Sequence, residues 1–280
     1  MLYHQYMDNS RTDNWVLAVI YAVSAASLVG FAAFGLHPER VAHAPGAAAV
    51  YGWMLLLAPR MQIVLAFGGL ALVLTRRVGT RWITAFVALY LLSLASELAG
   101  TTVGLPFGPY RYTAGLGLKW LGHVPVLIPL SWFFMALASY AIARCRYPDR
   151  AHLVRRTLVG ALVLLSWDLA LDPAMSLVTQ YWVWGTNGPY YGMPLLNLVG
   201  WYATGVGLMI ALVLLRADEW IARLPTGWLV AFYGANLLLP LGMGVAAGLW
   251  GAVAATVAAL VVCWLVTREG LTARVEVVIP

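Results

Sequence analysis

Charge is the scarcest thing in this 280-residue sequence: Asp, Glu, Lys and Arg make up 10%, against 62% hydrophobic residues. A water-soluble domain carries about 25% charged residues, so a soluble fold is excluded. Cysteine is scarcer still, with Cys145 and Cys263 the two examples. Both fall near predicted cytoplasmic helix ends, where a disulfide is not expected. The five histidines lie outside the apolar runs with no ligand spacing, so no metal site is expected. No basic, aromatic-interleaved soluble segment exists to argue for a nucleic-acid partner. No secretory leader is evident: the first apolar run begins near Trp15 and is long enough to span, which reads as a retained anchor.

What is there is a series of long apolar runs. They predict an all-α, polytopic integral membrane helix bundle of about eight transmembrane helices, taken as one domain over residues 1–280. A polar tail, residues 1–14, precedes a first span over 15–35. Residues 47–58 are apolar but short and stop at Pro59-Arg60, which reads as a re-entrant or interfacial helix leading into a second span over 61–75. Further spans are expected over 82–100, 125–143, 157–178, 194–215, 226–241 and 247–266. The last two form a tight hairpin in which Gly242, Gly244 and Gly248 permit close helix contact.

The net charge is +6, from 17 basic and 11 acidic residues. With both termini inside, thirteen of the basic residues fall on the cytoplasmic side, among them Arg76, Arg77, Arg144, Arg150, Arg155 and Arg156. Arg40, Arg60, Arg111 and Lys119 fall on the other. That asymmetry predicts a multi-pass cell-membrane protein with cytoplasmic termini and lipid around it.

Three of the eleven acids sit inside predicted spans: Glu97, Asp168 and Asp172. An acid at bilayer depth costs about 2.5–3.5 kcal/mol on insertion scales and is retained chiefly for function. Asp168 and Asp172, four apart, share one helix face. Glu97 lies sixteen residues past Arg81 and Asp172 sixteen past Arg156, so each is roughly 24 Å across at 1.5 Å per residue. All three are expected at one level, in the outer half, around one cavity. Pro173 frees the carbonyl four residues back and biases Asp172 away from helical geometry, so a kink is expected beside the acids.

An internal echo accompanies them. Glu97 is followed by Gly108-Pro109-Tyr110, Asp172 by Gly188-Pro189-Tyr190, and each triplet leads into a returning span with a tryptophan, Trp132 or Trp201. Spans three–four and five–six thus read as a possible parallel hairpin repeat, which would place a site at the repeat interface. Asn197 and Asn236 read first as interhelical hydrogen-bonding residues. Tyr181, Trp182, Trp184, Tyr190 and Tyr191 form either an interfacial belt or a substrate-facing wall.

At this point the residues carry a likeness. Glu97-Leu-Ala-Gly100, Pro106-Phe-Gly-Pro-Tyr-Arg-Tyr-Thr113, Val124-Pro-Val-Leu-Ile-Pro-Leu-Ser-Trp132, Trp167-Asp-Leu-Ala-Leu-Asp-Pro-Ala-Met175 and Gly188-Pro-Tyr-Tyr-Gly-Met-Pro-Leu-Leu-Asn-Leu-Val-Gly-Trp201 resemble the membrane carotenoid 1,2-hydratases of the CruF type. The resemblance covers about residues 80–215, the motif-bearing core. It implies addition of water to the terminal double bond of an acyclic carotenoid end, such as that of γ-carotene or lycopene, with no redox cofactor.

The chemistry of the residues fits that reaction. An isolated alkene is a weak base, so its hydration needs a carboxylic acid that still holds a proton at neutral pH. Asp168 or Asp172 is the expected donor, and Glu97 or the other Asp the group that orients and deprotonates water. Trp167, Trp184, Tyr190 and Trp201 are candidates to face the carbocation. Tyr110, Tyr112, Trp132, Tyr191 and Asn197 complete the expected substrate wall. Two rivals stay open. The Asp168-x-x-x-Asp172 spacing could hold Mg²⁺ on a diphosphate in a prenyltransferase, and membrane acids in repeats also occur in transporters.

Overall fold

The computed structural model describes the backbone of residues 2–42 and 45–275, and the side chains of 11–266 except 43–45, 47, 48 and 55. His43 and the side chains of both tails lie outside the described residues. Ten helices are described: α1 (Leu2–Gly30), α2 (Glu39–Ala42), α3 (Pro45–Val78), α4 (Ile83–Val103), α5 (Ile128–Arg146), α6 (Leu153–Asp172), α7 (Leu195–Leu214), α8 (Asp218–Ile221), α9 (Thr226–Ala246) and α10 (Trp250–Val275). Two π-helical turns, Phe31–Gly35 and Pro173–Val178, extend α1 and α6. Four short strands, β1 (Tyr110–Tyr112), β2 (Lys119–Trp120), β3 (Val124–Pro125) and β4 (Trp182–Trp184), lie in the loops.

Among the described residues seven helices are long and apolar enough to cross a membrane, α1, α3, α4, α5, α6, α7 and α9. This is the expected all-α membrane bundle. An eighth long helix, α10, is apolar over its described side chains, Trp250–Val266. One difference lies at Pro59. Residues 47–58 are not a separate re-entrant or interfacial helix: they continue through Pro59 into one helix of 34 residues. The proline removes one donor without ending the helix. The N-terminal tail is likewise helical from Leu2.

The helices α5 and α6 form the centre and are the most buried of the spans, and α4 and α7 close a four-helix group around them. The outward faces of α4 and α7 remain apolar and exposed, as with Leu91 and Leu92 or Val199 and Ile210, which suits lipid and not water. The helix α1 lies along α3 and α9. Its Leu28 fills the notch at Gly242, so that glycine serves α1, not the α9–α10 hairpin; Gly244 does face Val253 of α10.

Arginines gather at one end of the bundle. Arg156, expected to act only through its charge on topology, is fully buried there. It pairs with Asp218 at 2.7 Å and covers the Tyr140 ring at 5.2 Å. Arg144 reaches the same carboxylate at 3.2 Å. The three intramembrane acids lie toward the opposite end.

Candidate active site

At that opposite end the α4–α5 and α6–α7 loops meet. Strand β1 pairs antiparallel with β4, setting Tyr110 against Trp184 and Tyr112 against Trp182. Side chains alternate along a strand, so Tyr110 and Tyr112 share one face with Trp182 and Trp184. That face lies on the carboxyls, and the intervening Arg111 is exposed. The ribbon is a plate of four aromatic hydrogen-bond donors over two acids.

Glu97, on α4, is 4% exposed. Its Oε2 accepts from the Tyr110 hydroxyl and from the Tyr112 hydroxyl at 2.8 Å; its Oε1 accepts from Trp132 Nε1 at 2.8 Å. Burial, with the Glu97 carboxyl beside them, holds both phenols well above their usual range, so they keep their protons and donate. Gly100, one turn on, makes room for this: a Cβ there would lie 2.7 Å from the Phe107 ring and 2.8 Å from the Tyr110 ring.

Asp172 closes α6. Its Oδ1 accepts from Trp182 Nε1 at 2.9 Å and Trp184 Nε1 at 3.2 Å; its Oδ2 accepts from Asn197 Nδ2 at 2.8 Å. The same amide reaches Asp168 Oδ2 at 3.2 Å, tying both aspartates to α7. Asp168 Oδ1 is buried with no partner among the described residues. Contrary to the expected bias, Asp172 keeps helical geometry (φ −61°, ψ −52°), and Pro173 opens the π turn. The freed Leu169 carbonyl is taken by the Tyr190 hydroxyl at 2.8 Å.

Glu97 and Asp172 line one cavity of about 30 Å³ with Asn197, room for about two waters. Trp132 and Trp201, the tryptophans of the two hairpins, wall it and stack at 3.9 Å. Tyr110, Tyr112 and Trp184 line it too. Asp168 stands behind it, joined through Asn197. Trp167 lies in a neighbouring chamber and meets Trp201 edge-on at 6.0 Å.

Tyr190 and Tyr191 are not on the cavity. Tyr191 accepts instead from the Ala252 amide at 3.2 Å, so both hydroxyls anchor the loop. The Asn236 side chain bonds Phe232 within its own helix at 2.9 Å; the interhelical hydrogen bond at this residue is made by its backbone carbonyl, which accepts from Trp167 Nε1 at 3.1 Å. The cavity residues outside the sequence reading of the site are Phe107, Ile128, Ser131 and Leu171, and Trp182 entered that reading only as one of the loop aromatics. The alternation Tyr-Arg-Tyr and Trp-Val-Trp was the signal for Trp182, since period two places both outer residues on one face. The Gly-Pro-Tyr triplets are not equivalent: the first precedes its strand, the second follows it.

No three His, Cys, Asp or Glu side chains among the described residues are grouped to hold a metal ion. The carboxyl oxygens that face the cavity are already met by N–H and O–H donors, the arrangement for carboxyl chemistry in a water-poor site.

Residues 58–263 match the model of the carotenoid biosynthesis protein family. A curated relative, the bisanhydrobacterioruberin hydratase of Haloarcula japonica, is 29% identical over 200 residues, 71% of this chain and 64% of the relative. The match thus spans less than two thirds of that relative's length. No solved structure matches.

Proposed function

Because the chain belongs to the carotenoid biosynthesis protein family, we propose that it is a membrane carotenoid 1,2-hydratase. Its substrate would be the terminal double bond of an acyclic end, of the kind found in γ-carotene or lycopene. The observation that carries the reading is the meeting of Glu97 and Asp172 in one water-sized, aromatic-walled cavity inside an apolar bundle. The hydratase name of the Haloarcula relative supports the same reaction class.

The proton comes from the Asp168–Asp172 pair, of which Asp172 is the member on the cavity. The alkene's π electrons form a C–H bond at the less substituted carbon, leaving a tertiary cation. The faces of Trp132, Trp184 and Trp201 stabilise it, as ring quadrupoles do for cations. A cavity water gives its lone pair to form the C–O bond, and its proton passes to Glu97. Asp168 and Asp172 share one amide donor, and like charges so close favour one proton held on that pair; Glu97, bound by three donors, is the group that receives one. Return of that proton to the aspartates through the second water restores the site. Alkene plus water gives tertiary alcohol, with no electrons gained or lost and no redox cofactor needed. A diphosphate-bound cation would need the lone pairs that the indoles and Asn197 occupy, which weighs against the prenyltransferase alternative.

The polyene would lie in lipid and enter end-first, with the site in the outer half and both termini cytoplasmic. Co-expression with a pathway that supplies acyclic-ended carotenoids tests the reaction by chromatography and mass spectrometry of extracts. The product should gain one water per hydrated end. Unchanged carotenoids beside folded protein would refute it.

A further inference from the structure

Beside the carboxyl cavity lies a second chamber of about 80 Å³ that shares Ile128, Ser131, Leu171 and Trp182 with it. Its walls are mostly apolar, from Ile63 of α3 to Leu239 and Pro240 of α9. Pro240 cannot donate to the Asn236 carbonyl four residues back, and Trp167 Nε1 takes that carbonyl at 3.1 Å. The tryptophan is thereby fixed as a chamber wall.

Into this wall is set Gln62, 8% exposed, with its Oε1 buried and without a partner among the described residues. The amide is oriented by what lies behind it. Ser24 Oγ spends its one hydrogen on the Ala235 carbonyl at 3.1 Å, and so accepts from Gln62 Nε2 at 2.9 Å. Only the amide nitrogen can face Ser24, which leaves the oxygen over. A buried acceptor with no donor costs free energy unless something supplies a hydrogen. The hydrogen bonds given for other polar groups on the wall run elsewhere: Asn236 Nδ2 donates to the Phe232 carbonyl, Ser131 Oγ to the Ile128 carbonyl and Trp182 Nε1 to Asp172.

We propose that this chamber is a product subsite for an acyclic isoprenoid end bearing a tertiary hydroxyl, whose O–H donates to Gln62 Oε1. The identity of the chain rests on the hydratase reading; the hydroxyl handle does not. The chamber is larger than the carboxyl cavity, adjoins it, and carries an acceptor that a bare alkene end cannot use. A hydroxylated end leaving the acids would therefore be drawn there, away from the group that could remove its water again.

Equilibrium binding to the whole protein in nanodiscs tests this with three saturated four-isoprene probes. One is the plain hydrocarbon, one carries a tertiary hydroxyl at the isopropyl terminus, and one carries its hydroxyl at the opposite terminus. The tertiary alcohol should bind about tenfold tighter than the hydrocarbon, the worth of one good hydrogen bond. Gln62→Leu should bring that ratio to about one. Ser24→Ala, which keeps Gln62 but frees its amide to turn, should lower the ratio too and serves if Gln62→Leu fails to fold. A wild-type ratio near one, a ratio kept in either variant, or equal preference for the opposite-end alcohol overturns the proposal. The measurement needs no turnover. A preserved ratio with no hydrated carotenoid in cells would sink the hydratase reading and spare the chamber, and the converse result would do the reverse.

Discussion

Glu97→Gln and Asp172→Asn make the same chemical change, yet their surroundings give the two substitutions unequal costs. A glutamine at 97 can point its oxygen at Trp132 Nε1 and its amide nitrogen at the two tyrosines. A phenol oxygen accepts as well as donates, so Tyr110 and Tyr112 can accept from that nitrogen and turn their own hydrogens toward the cavity that both line. At 172 the hydrogen bonds come from N–H groups, two indoles and the Asn197 amide, with the Ser176 hydroxyl close by. An indole nitrogen only donates. The new asparagine must give its oxygen to the indoles and set its own nitrogen against that of Asn197. If Asn197 turns to relieve this, its oxygen confronts Asp168 Oδ2, which it now bonds through nitrogen at 3.2 Å.

Asp172→Asn therefore opposes two N–H groups that cannot turn into acceptors, a clash that Glu97→Gln avoids because hydroxyls can turn. A buried unsatisfied polar group costs about 1–3 kcal/mol, so Asp172→Asn should be the less stable variant by about that amount. Thermal unfolding of both in the same detergent reads the order. Both should lose hydration about 10²–10⁴-fold, the range for a proton-transfer group, scored from carotenoid extracts. Should Glu97→Gln unfold at or below the temperature of Asp172→Asn, the donor sets are not as described. Hydration within about tenfold of wild type by either folded variant would remove that carboxyl from the mechanism.

Other outcomes follow from the same geometry. Trp182→Phe keeps the ring and removes the 2.9 Å donor to Asp172; hydration should fall about tenfold, and the 3.2 Å donor in Trp184→Phe should matter less. Gly100→Ala drives a Cβ into the Phe107 and Tyr110 rings; it should cost about 1–3 kcal/mol of stability and pull Tyr110 off Glu97, with activity lost alongside. Tyr190→Phe should cost about 1 kcal/mol by releasing the Leu169 carbonyl, with hydration retained, because Tyr190 is off the cavity. The exposed thiol of Cys145, at the arginine-rich end of α5, should react with an impermeant maleimide in inverted vesicles and not in intact cells; the opposite result reverses the proposed orientation.

The acids were legible because nothing else in an apolar run competes with them. Glu97 and Asp172, each sixteen residues from its arginine, meet in one cavity, since helical rise is regular enough for counting to place them. Asn197 was legible as a polar residue on a buried helix, and it does bridge α6 and α7. What counting could not supply was the loop geometry. Tyr190 and Trp182 both looked like loop aromatics, and only the pairing of β1 with β4 decides that Trp182 faces the acids while Tyr190 turns to a backbone carbonyl. Pro59 misled for a related reason. A proline removes one hydrogen bond, but continuing the helix into α3 keeps the backbone on either side satisfied in an apolar medium, so the chain does not break there. The chamber at Gln62 left no sequence signal, because a single glutamine in an apolar run gives no hint of whether its partners are paired.

The arrangement of donors gives the hairpin echo a physical content that the Gly-Pro-Tyr triplets do not. Every donor to Glu97 comes from the α4–α5 hairpin: Tyr110 and Tyr112 from its loop, Trp132 from its returning helix. Every donor to Asp172 comes from the α6–α7 hairpin: Trp182 and Trp184 from its loop, Asn197 from its returning helix. Each hairpin thus carries an acid on the outgoing helix and closes its own cage around it, which offsets locally the desolvation of a carboxyl placed in an apolar bundle. Neither cage encloses a cavity alone. The cavity arises where the two are pressed together, by the pairing of β1 with β4 above and the stacking of Trp132 on Trp201 at the side. Two acids with separate donor sets can then hold different protonation states across one bound end, which is what addition of a proton and removal of another from water requires.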